Sequence, residues 1–311
     1  MGIDRENKAH LQRWDERKEE LRRGIVDKRV LSHKQLDKLR GPHRVLDTSI
    51  VYPEKSWREL KFHERQWLRV EAAAMMSREA VLVGRSAARM HGIWVISTTE
   101  EPVELCLPSR GSSPTRRNVE GLLFRRMVLR SNEISLRDGH RVTNGFRTFA
   151  DIARHHGFVE GLVAADYLRR SGFTLELLER EAGQLGRLKG VAVVRECIRH
   201  CVPDSGSPYE SFARALLIQA GIGPLFTQYE VAGRFADLCI DGWLLIEIDG
   251  NVKYQGPNAE RARQEEFERQ KMIANRGYVF LRYSPDFLRR HPEKFVREVL
   301  ATIAGRRAAL A

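Results

Sequence analysis

Three acidic residues lie inside strand-like apolar sequence in the last third of the chain. Asp237 stands between an alanine and a leucine, and Glu247 and Asp249 alternate with isoleucines in residues 244–250. An isolated carboxylate is costly to bury, so acids in such positions usually need a metal ion or a cationic partner. Two carboxylates a few ångströms apart repel by roughly 4 kcal/mol at an effective dielectric near 20, so a cation is expected between them. Mg²⁺ or Mn²⁺ suits carboxylate oxygens.

Strand geometry predicts how the two later acids face. Successive side chains of a strand point to opposite sides, so Glu247 and Asp249 share one face at about 7 Å spacing. The alternative interpretation is that Asp237 only ends a strand and that Asp249 opens a turn with a solvated carboxylate.

A hairpin is predicted to bring the third acid to the same face. Residues 228–240 form its first arm, Asp241-Gly242 its turn and residues 243–248 its second arm. A two-residue turn would pair Asp237 with Ile246, so we predict one additional loop residue, which sets Asp237 opposite Glu247.

The flanking sequence predicts helices and a further strand. A helix over 207–222 carries Glu210 at its start and ends at a glycine. A charged helix over 259–275, a strand over 278–283 and a helix over 292–304 follow. This order is typical of a compact α/β unit.

These residues together resemble a bacterial family of Vsr-like, PD-(D/E)XK-type endonuclease domains over about a third of the chain. The similarity is carried by Glu210, Asp237, Glu247-Ile248-Asp249-Gly250, Lys253-Tyr254, Arg276-Gly277-Tyr278 and Leu281-Arg282.

The resemblance implies a metal site and a reaction. Glu210, Asp237 and Glu247 would hold Mg²⁺ or Mn²⁺, and Lys253 would orient the attacking water or neutralise charge. The chain departs from the family pattern at Asp249, which stands where the superfamily usually has lysine and joins the catalytic candidates. The implied chemistry is metal-assisted hydrolysis of a DNA phosphodiester.

Composition favours a nucleic-acid partner. The formal net charge is +12, and residues 1–200 hold most of it, with 38 Lys and Arg against 27 Asp and Glu. An excess of this kind is an electrostatic argument for polyanion binding. No signal-like segment and no run of about 18 apolar residues occurs, so a cytoplasmic protein without a membrane partner is expected.

The amino-terminal segment is compatible with a reduced winged helix-turn-helix. Ser32 is predicted to cap a short helix through Arg40, and residues 45–52 are predicted to form one strand. Lys34 and Lys38 on that helix are candidate DNA contacts.

A second resemblance lies downstream. Residues 80–92, with Ser86-Ala87-Ala88 and Gly92, resemble the core motif of bacterial AbiEi-type antitoxin-like proteins, which often carry a Vsr-like domain behind it. The similarity continues through strands at 103–107 and 122–127 and through residues 142–151. It implies DNA binding and a cognate toxin protein as a further partner.

Several residues of this region have individual interpretations. Between its two strands lies a basic loop with Arg110, Arg116 and Arg117, which are candidate phosphate contacts. Arg147 and Asp151 are predicted to form an ion pair on a helix, and His91 is predicted to end a helix with its ring bonded to backbone.

The sequence therefore predicts an α/β (α+β) protein with boundaries at 1–60, 61–203 and 204–311. Residues 203–208 are interpreted as a linker before the endonuclease-like domain. A Mg²⁺-dependent DNA endonuclease is expected. The alternatives are a DNA-binding transcriptional regulator or antitoxin whose nuclease-like domain is inactive, and a module that neutralises a partner toxin.

Overall fold

Helices and strands alternate along the chain in a mixed α/β fold. The computed structural model describes residues 2–39, 41–77, 79–107, 121–231, 233–248, 271 and 275–310. The described strands form a three-stranded, a five-stranded and a four-stranded sheet. The predicted fold class is confirmed at this level.

The amino-terminal region packs helices around the three-stranded antiparallel sheet. Its elements are α1 (Gly2–Arg23), β1 (Val26–Asp27), α2 (His33–Leu36), β2 (His43–Asp47), β3 (Ile50–Pro53), α3 (Glu54–Glu59) and α4 (Phe62–Met76). The strand order is β1-β3-β2. Trp67 on α4 is completely buried and anchors the core of this region together with Leu21 from α1.

Two local predictions for this region need correction. The predicted strand over 45–52 is the hairpin β2–β3, because Asp47 accepts hydrogen bonds from the backbone and hydroxyl of Thr48 and turns the chain there. Ser32 does precede α2, and its backbone N–H donates to the Gln35 side chain. The helix is short because the following hydrogen bonds, from Lys38 and Leu39, close three-residue turns.

The middle region is built on the five-stranded sheet, in the order β6-β5-β4-β8-β7. Its elements are β4 (Val81–Leu82), α5 (Gly84–His91), β5 (Val103–Cys106), β6 (Leu122–Phe124), β7 (Ile134–Arg137), β8 (His140–Thr143) and α6 (Gly145–His156). The strand predicted at 103–107 is confirmed as β5, and the one predicted at 122–127 is the shorter β6, which ends at Phe124; the two pair in parallel.

A buried acid fixes the start of α5. The Glu104 side chain on β5 is 1% exposed, and it accepts hydrogen bonds from the Arg85 backbone N–H, Arg125 and His156 at 2.7, 2.9 and 3.0 Å. Burial by itself would raise the pKa of Glu104. The hydrogen bond from His156 and the Arg125 cation outweigh burial and lower that pKa to about 2. Gly84, at φ +53°, leaves room for this carboxylate, because a Cβ there would collide with it.

Two single-residue predictions in this region are confirmed. Arg147 donates to Asp151 at 3.0 Å one helical turn along α6, and both side chains are buried. His91 is the last residue of α5, and its Nε2 lies 2.7 Å from the Thr143 carbonyl oxygen. Burial lowers the pKa of His91. Arg147, Asp151 and His91 therefore have structural roles.

The remaining helices continue one core into the carboxy-terminal region. They are α7 (Phe158–Arg170), α8 (Leu175–Gln184), α9 (Val191–His200) and α10 (Pro208–Gln219). Phe158 and Phe212 belong to the same buried cluster, and Arg214 on α10 donates to Asp166 on α7 at 2.7 Å. Ser205 is 2% exposed and bonded to Ser211. The connection at 203–208 is thus packed rather than a free linker, while the domain boundary at 204 stays a prediction.

The carboxy-terminal sheet has the order β12-β11-β10-β9 and is followed by two helices. Its elements are β9 (Leu225–Val231), β10 (Arg234–Ile240), β11 (Leu244–Ile248), β12 (Val279–Tyr283), α11 (Pro285–Arg290) and α12 (Pro292–Leu310). One face of the sheet, with Leu238, Ile246 and neighbouring residues, shares its core with α10.

The hairpin prediction for this sheet is partly wrong and partly confirmed. Residues 228–240 are two antiparallel strands and not one arm, because the chain reverses between Val231 and Arg234, which are paired, with Gly233 at φ +74°. The extra loop residue is confirmed. Ile240 pairs with Leu244, which leaves the three residues 241–243 in the loop.

Candidate active site

Polar residues stand at neighbouring positions on all four strands of the carboxy-terminal sheet, and we call these four residues the row. Leu238 pairs with Ile246, so the next step of this ladder sets Asp237 opposite Glu247. On the other side, Asp237 lies between residues paired with Tyr229 and Thr227 and therefore faces Gln228. Glu247 in turn pairs with Arg282 on β12. The row runs Gln228, Asp237, Glu247, Arg282.

Asp237 is held against the neighbouring strand by its side chain. Its Oδ2 accepts a hydrogen bond of 2.7 Å from the backbone N–H of Ile248, the last residue of β11. This bond keeps the carboxylate next to the backbone that carries Glu247, at the carboxyl end of β11.

Glu247 supplies the second carboxylate of the row and is paired with the cation Arg282. Arg282 Nη2 lies 2.9 Å from Glu247 Oε2, and the Glu247 side chain is 13% exposed. The Arg282 guanidinium also lies 5.3 Å from the centre of the Phe280 ring. Arg282 therefore partly offsets the two negative charges that the row brings together.

Glu210 lies at the start of helix α10, which packs on the sheet face that carries Ile246 and Ile248, whereas Glu247 alternates with these residues and points to the other face. Ser207 caps this helix by accepting a hydrogen bond from the Glu210 N–H, and the Glu210 carboxylate accepts one of 2.8 Å from the Gly206 N–H. The same carboxylate accepts a bond of 3.1 Å from Gln228 Nε2, which links the helix to strand β9. Burial raises the pKa of Glu210, and these donors offset part of the rise.

Of the other predicted site residues, the structure describes only Lys34 and Lys38. Asp249, Lys253 and the arginines 110, 116 and 117 lie outside the described residues, as does most of the predicted charged helix at 259–275. Lys34 on α2 and Lys38 just after it are exposed. Among the described side chains, no group of three or more His, Cys, Asp and Glu lies close enough together to hold a metal ion.

Sequence reasoning missed two members of the row, Gln228 and Arg282. Gln228 has φ +45°, an unusual conformation for a residue other than glycine, and nothing in the sequence signals it. Arg282 was noted as part of the family resemblance without a role. Its position on a parallel strand beside Glu247 depends on a pairing across residues 249–278, which short-range patterns do not specify.

Comparison with models of known protein families gives no match to the sequence, and comparison with curated proteins gives none either. In the part of the chain that the structure describes, no helix combines the length and the apolar character needed to cross a bilayer.

Proposed function

We propose that the protein is a Mg²⁺- or Mn²⁺-dependent DNA endonuclease of the PD-(D/E)XK type, with Glu210, Asp237 and Glu247 as the metal-site acids. The observation that carries the proposal is the register of the four-stranded sheet. It sets the residues Asp237 and Glu247 opposite each other on neighbouring strands, and Gln228 on the next strand is bonded to the Glu210 carboxylate.

The donor atoms are of the type that the proposed ion takes. Carboxylates supply hard oxygen ligands, which Mg²⁺ and Mn²⁺ prefer. The carboxylates of Glu210, Asp237 and Glu247 do not converge on one point in the structure, so the proposal requires their side chains to turn toward the ion on binding. Asp237 and Glu247 are only partly buried, so the row is within reach of solvent and of a substrate phosphate. Arg282 on the adjoining strand is paired with Glu247.

The residues of the row would divide the work of hydrolysis. A divalent cation would lower the pKa of an attacking water and stabilise negative charge that develops on the phosphate. Gln228 and the Ile248 N–H would hold Glu210 and Asp237 in fixed orientations. Arg282 would balance charge beside Glu247. Asp249 and Lys253 remain proposed members, with Lys253 orienting the water.

The amino-terminal region would contribute DNA binding in a winged-helix-like arrangement. Lys34 and Lys38 are exposed on and beside α2, next to the small three-stranded sheet. Such cations add sequence-independent affinity through phosphate contacts. Arg110, Arg116 and Arg117 are proposed to add further phosphate contacts.

The decisive variant is Glu247→Gln, which removes one charge and keeps the shape of the side chain. We expect wild type to nick or linearise plasmid DNA in Mg²⁺ or Mn²⁺ and the variant to be slower by about 100-fold or more. The matched control is Glu230→Gln, since Glu230 is an exposed acid on β9 of the same sheet. Equal cleavage by wild type and Glu247→Gln, or no cleavage of duplex, mismatched and single-stranded DNA by wild type, would refute the proposal.

A specific observation favours a second candidate, a DNA-binding regulator or antitoxin with an inactive nuclease-like domain. Each of the three acids already has a hydrogen-bond donor from the protein: Gly206 and Gln228 for Glu210, Ile248 for Asp237 and Arg282 for Glu247. For this candidate, we expect retardation of the upstream DNA of its own operon in EDTA and no change in the DNA on adding Mg²⁺. Absence of a retarded band at low salt would exclude it.

A further inference from the structure

A cleft of about 710 Å³ lies beside the start of α10. Helices α1 and α4, the segment 92–96, the first residues of α10 and Arg289 of α11 line it. Its volume is within the range of roughly 300–1,000 Å³ typical of sites for small ligands. It is therefore large enough for one or two nucleotides but not for a duplex.

The cleft is rich in aromatic rings. Trp14, Phe62, Trp94 and Tyr209 line it. Phe62, the first residue of α4, is 59% exposed, so its ring is held in solvent at the rim. Aromatic faces of this kind are the platforms on which unpaired bases stack, with a gain of roughly 1–3 kcal/mol for each base.

The same cleft carries five cationic side chains and one carboxylate, Glu64. Three of the cations have acidic partners: Arg17 is bonded to Glu64, Arg89 to Glu101 and Arg289 to Asp286.

The other two cations are Arg13 on α1 and Lys61 at the start of α4. Neither side chain has an ion pair within the described residues, and both are exposed. Their charges are therefore available to an anion, and a phosphate is the anion that accompanies a base.

The cleft also extends beyond a single nucleotide. A neighbouring cavity of about 330 Å³ shares Phe62 and Tyr209 with it and continues toward Gln66, Ser97 and Thr99. The second cavity adds Arg69 to the lining, together with the acids Glu100 and Glu101, so aromatic, cationic and polar side chains follow one another across the two cavities. An extended chain that alternates flat bases with phosphates matches this distribution better than a globular ligand does.

We propose that this cleft binds unpaired nucleotides of a single DNA strand, with bases against Phe62, Trp14 and Trp94 and a phosphate at Arg13 and Lys61. The inference rests on the proposed function in taking DNA as the natural ligand, and it adds the form of DNA that binds. Tyr209 lines the cleft and directly precedes Glu210, so a strand in the cleft would lead to the helix that carries the first metal-site acid.

The test is binding of a fluorescein-labelled oligothymidine of twelve nucleotides, followed by anisotropy in EDTA over a series of salt concentrations. We expect Arg13→Ala with Lys61→Ala to weaken binding by about tenfold or more at low salt. The slope of log K against log salt should fall by about 1.4, because each lost phosphate contact on a single strand is worth about 0.7. The matched control is Arg23→Ala with Lys55→Ala, which removes two exposed charges from α1 and α3 outside the cleft.

The stacking component has its own pair of variants. Phe62→Ala should weaken binding by about fivefold or more, and Phe62→Trp should retain it. Phe235 has the same exposed fraction of 59% but lies on β10, and Phe235→Ala should bind within about twofold of wild type. Thermal melts of all variants exclude unfolding as the cause of a loss.

Three results would overturn the proposal. The first is binding of the Arg13/Lys61 and Phe62→Ala variants within twofold of wild type. The second is an equal loss in the Arg23/Lys55 control, which would indicate general electrostatic attraction. The third is equal competition by polyglutamate, which would make the cleft an acidic-peptide site. The binding assay in EDTA requires neither a metal ion nor cleavage, so failure of the nuclease proposal leaves this result interpretable.

Discussion

Glu104 in β5 and Glu247 in β11 are both acids in largely buried strands, and their surroundings differ. Both cross-strand neighbours of Glu104 are apolar. They are Leu123 on β6 and, on the other side, Val83 directly after β4. All side-chain partners of Glu104 are cations or imidazole. Glu247 has an arginine on one side and a second acid, Asp237, on the other.

An acid in an apolar strand does not by itself indicate a metal site. Glu104 is fully enclosed by Arg125, His156 and the Arg85 N–H, so its charge is already balanced, and it anchors the start of α5. A second carboxylate beside the first is what distinguishes Glu247. Two adjacent carboxylates raise the energy of the protein unless a further cation is shared between them.

The largest expected difference between the two acids is in stability. Glu104→Gln leaves Arg125 next to a neutral group in a buried site, so we expect the free energy of unfolding to fall by about 3 kcal/mol. Urea denaturation measures this change. Glu179→Gln, at an exposed position on α8, is the control and should stay within about 0.5 kcal/mol of wild type. A loss below about 1 kcal/mol for Glu104→Gln would remove the contrast on which the comparison rests.

The pH dependence of stability is a second test of the structural role of Glu104. The pKa of Glu104 in the folded protein, about 2, lies below its ordinary value of 4.5, so ionised Glu104 stabilises the fold above pH 4.5. That contribution is lost as the pH falls from 4.5 towards 2. The stability of Glu104→Gln should therefore fall less steeply than that of wild type over this window. Parallel curves from denaturation at each pH would show that Glu104 is not specially stabilised.

The smallest expected effect has the opposite sign. In EDTA, Asp237→Asn removes one of two neighbouring negative charges but keeps an acceptor oxygen for the Ile248 N–H. We expect the free energy of unfolding to rise by up to about 1 kcal/mol, as relief of repulsion allows at a partly exposed site. A clear loss of stability would place Asp237 with Glu104 among the structural acids.

The sequence was most informative where contacts are local. The helices, the three-residue loop that sets Asp237 opposite Glu247 and the Arg147–Asp151 pair all depend on residues within a few positions of one another. The enclosure of Glu104 was not predictable in this way, since Arg125 and His156 are 21 and 52 residues away in sequence. The reversal before Gly233 was missed because a glycine inside strand-like sequence also fits a bulge.

The cleft beside α10 escaped sequence reasoning for the same reason. Trp14, Phe62, Trp94 and Tyr209 are spread over nearly two hundred residues, and the fold brings them together because α1, α4, the segment 92–96 and the start of α10 line one cleft. Each residue alone has the pattern of an ordinary helix or loop position. The proposed stacking surface is recognisable only in the folded protein, where the four rings line one cleft.

The most direct test of the central claim is an anomalous difference map from a crystal soaked in Mn²⁺. The account predicts one strong peak beside the carboxylates of Asp237 and Glu247, with Glu210 as a further ligand, and no peak there in Asp237→Asn. A map without density at the row, or with the two carboxylates turned away from each other and from the ion, would contradict it.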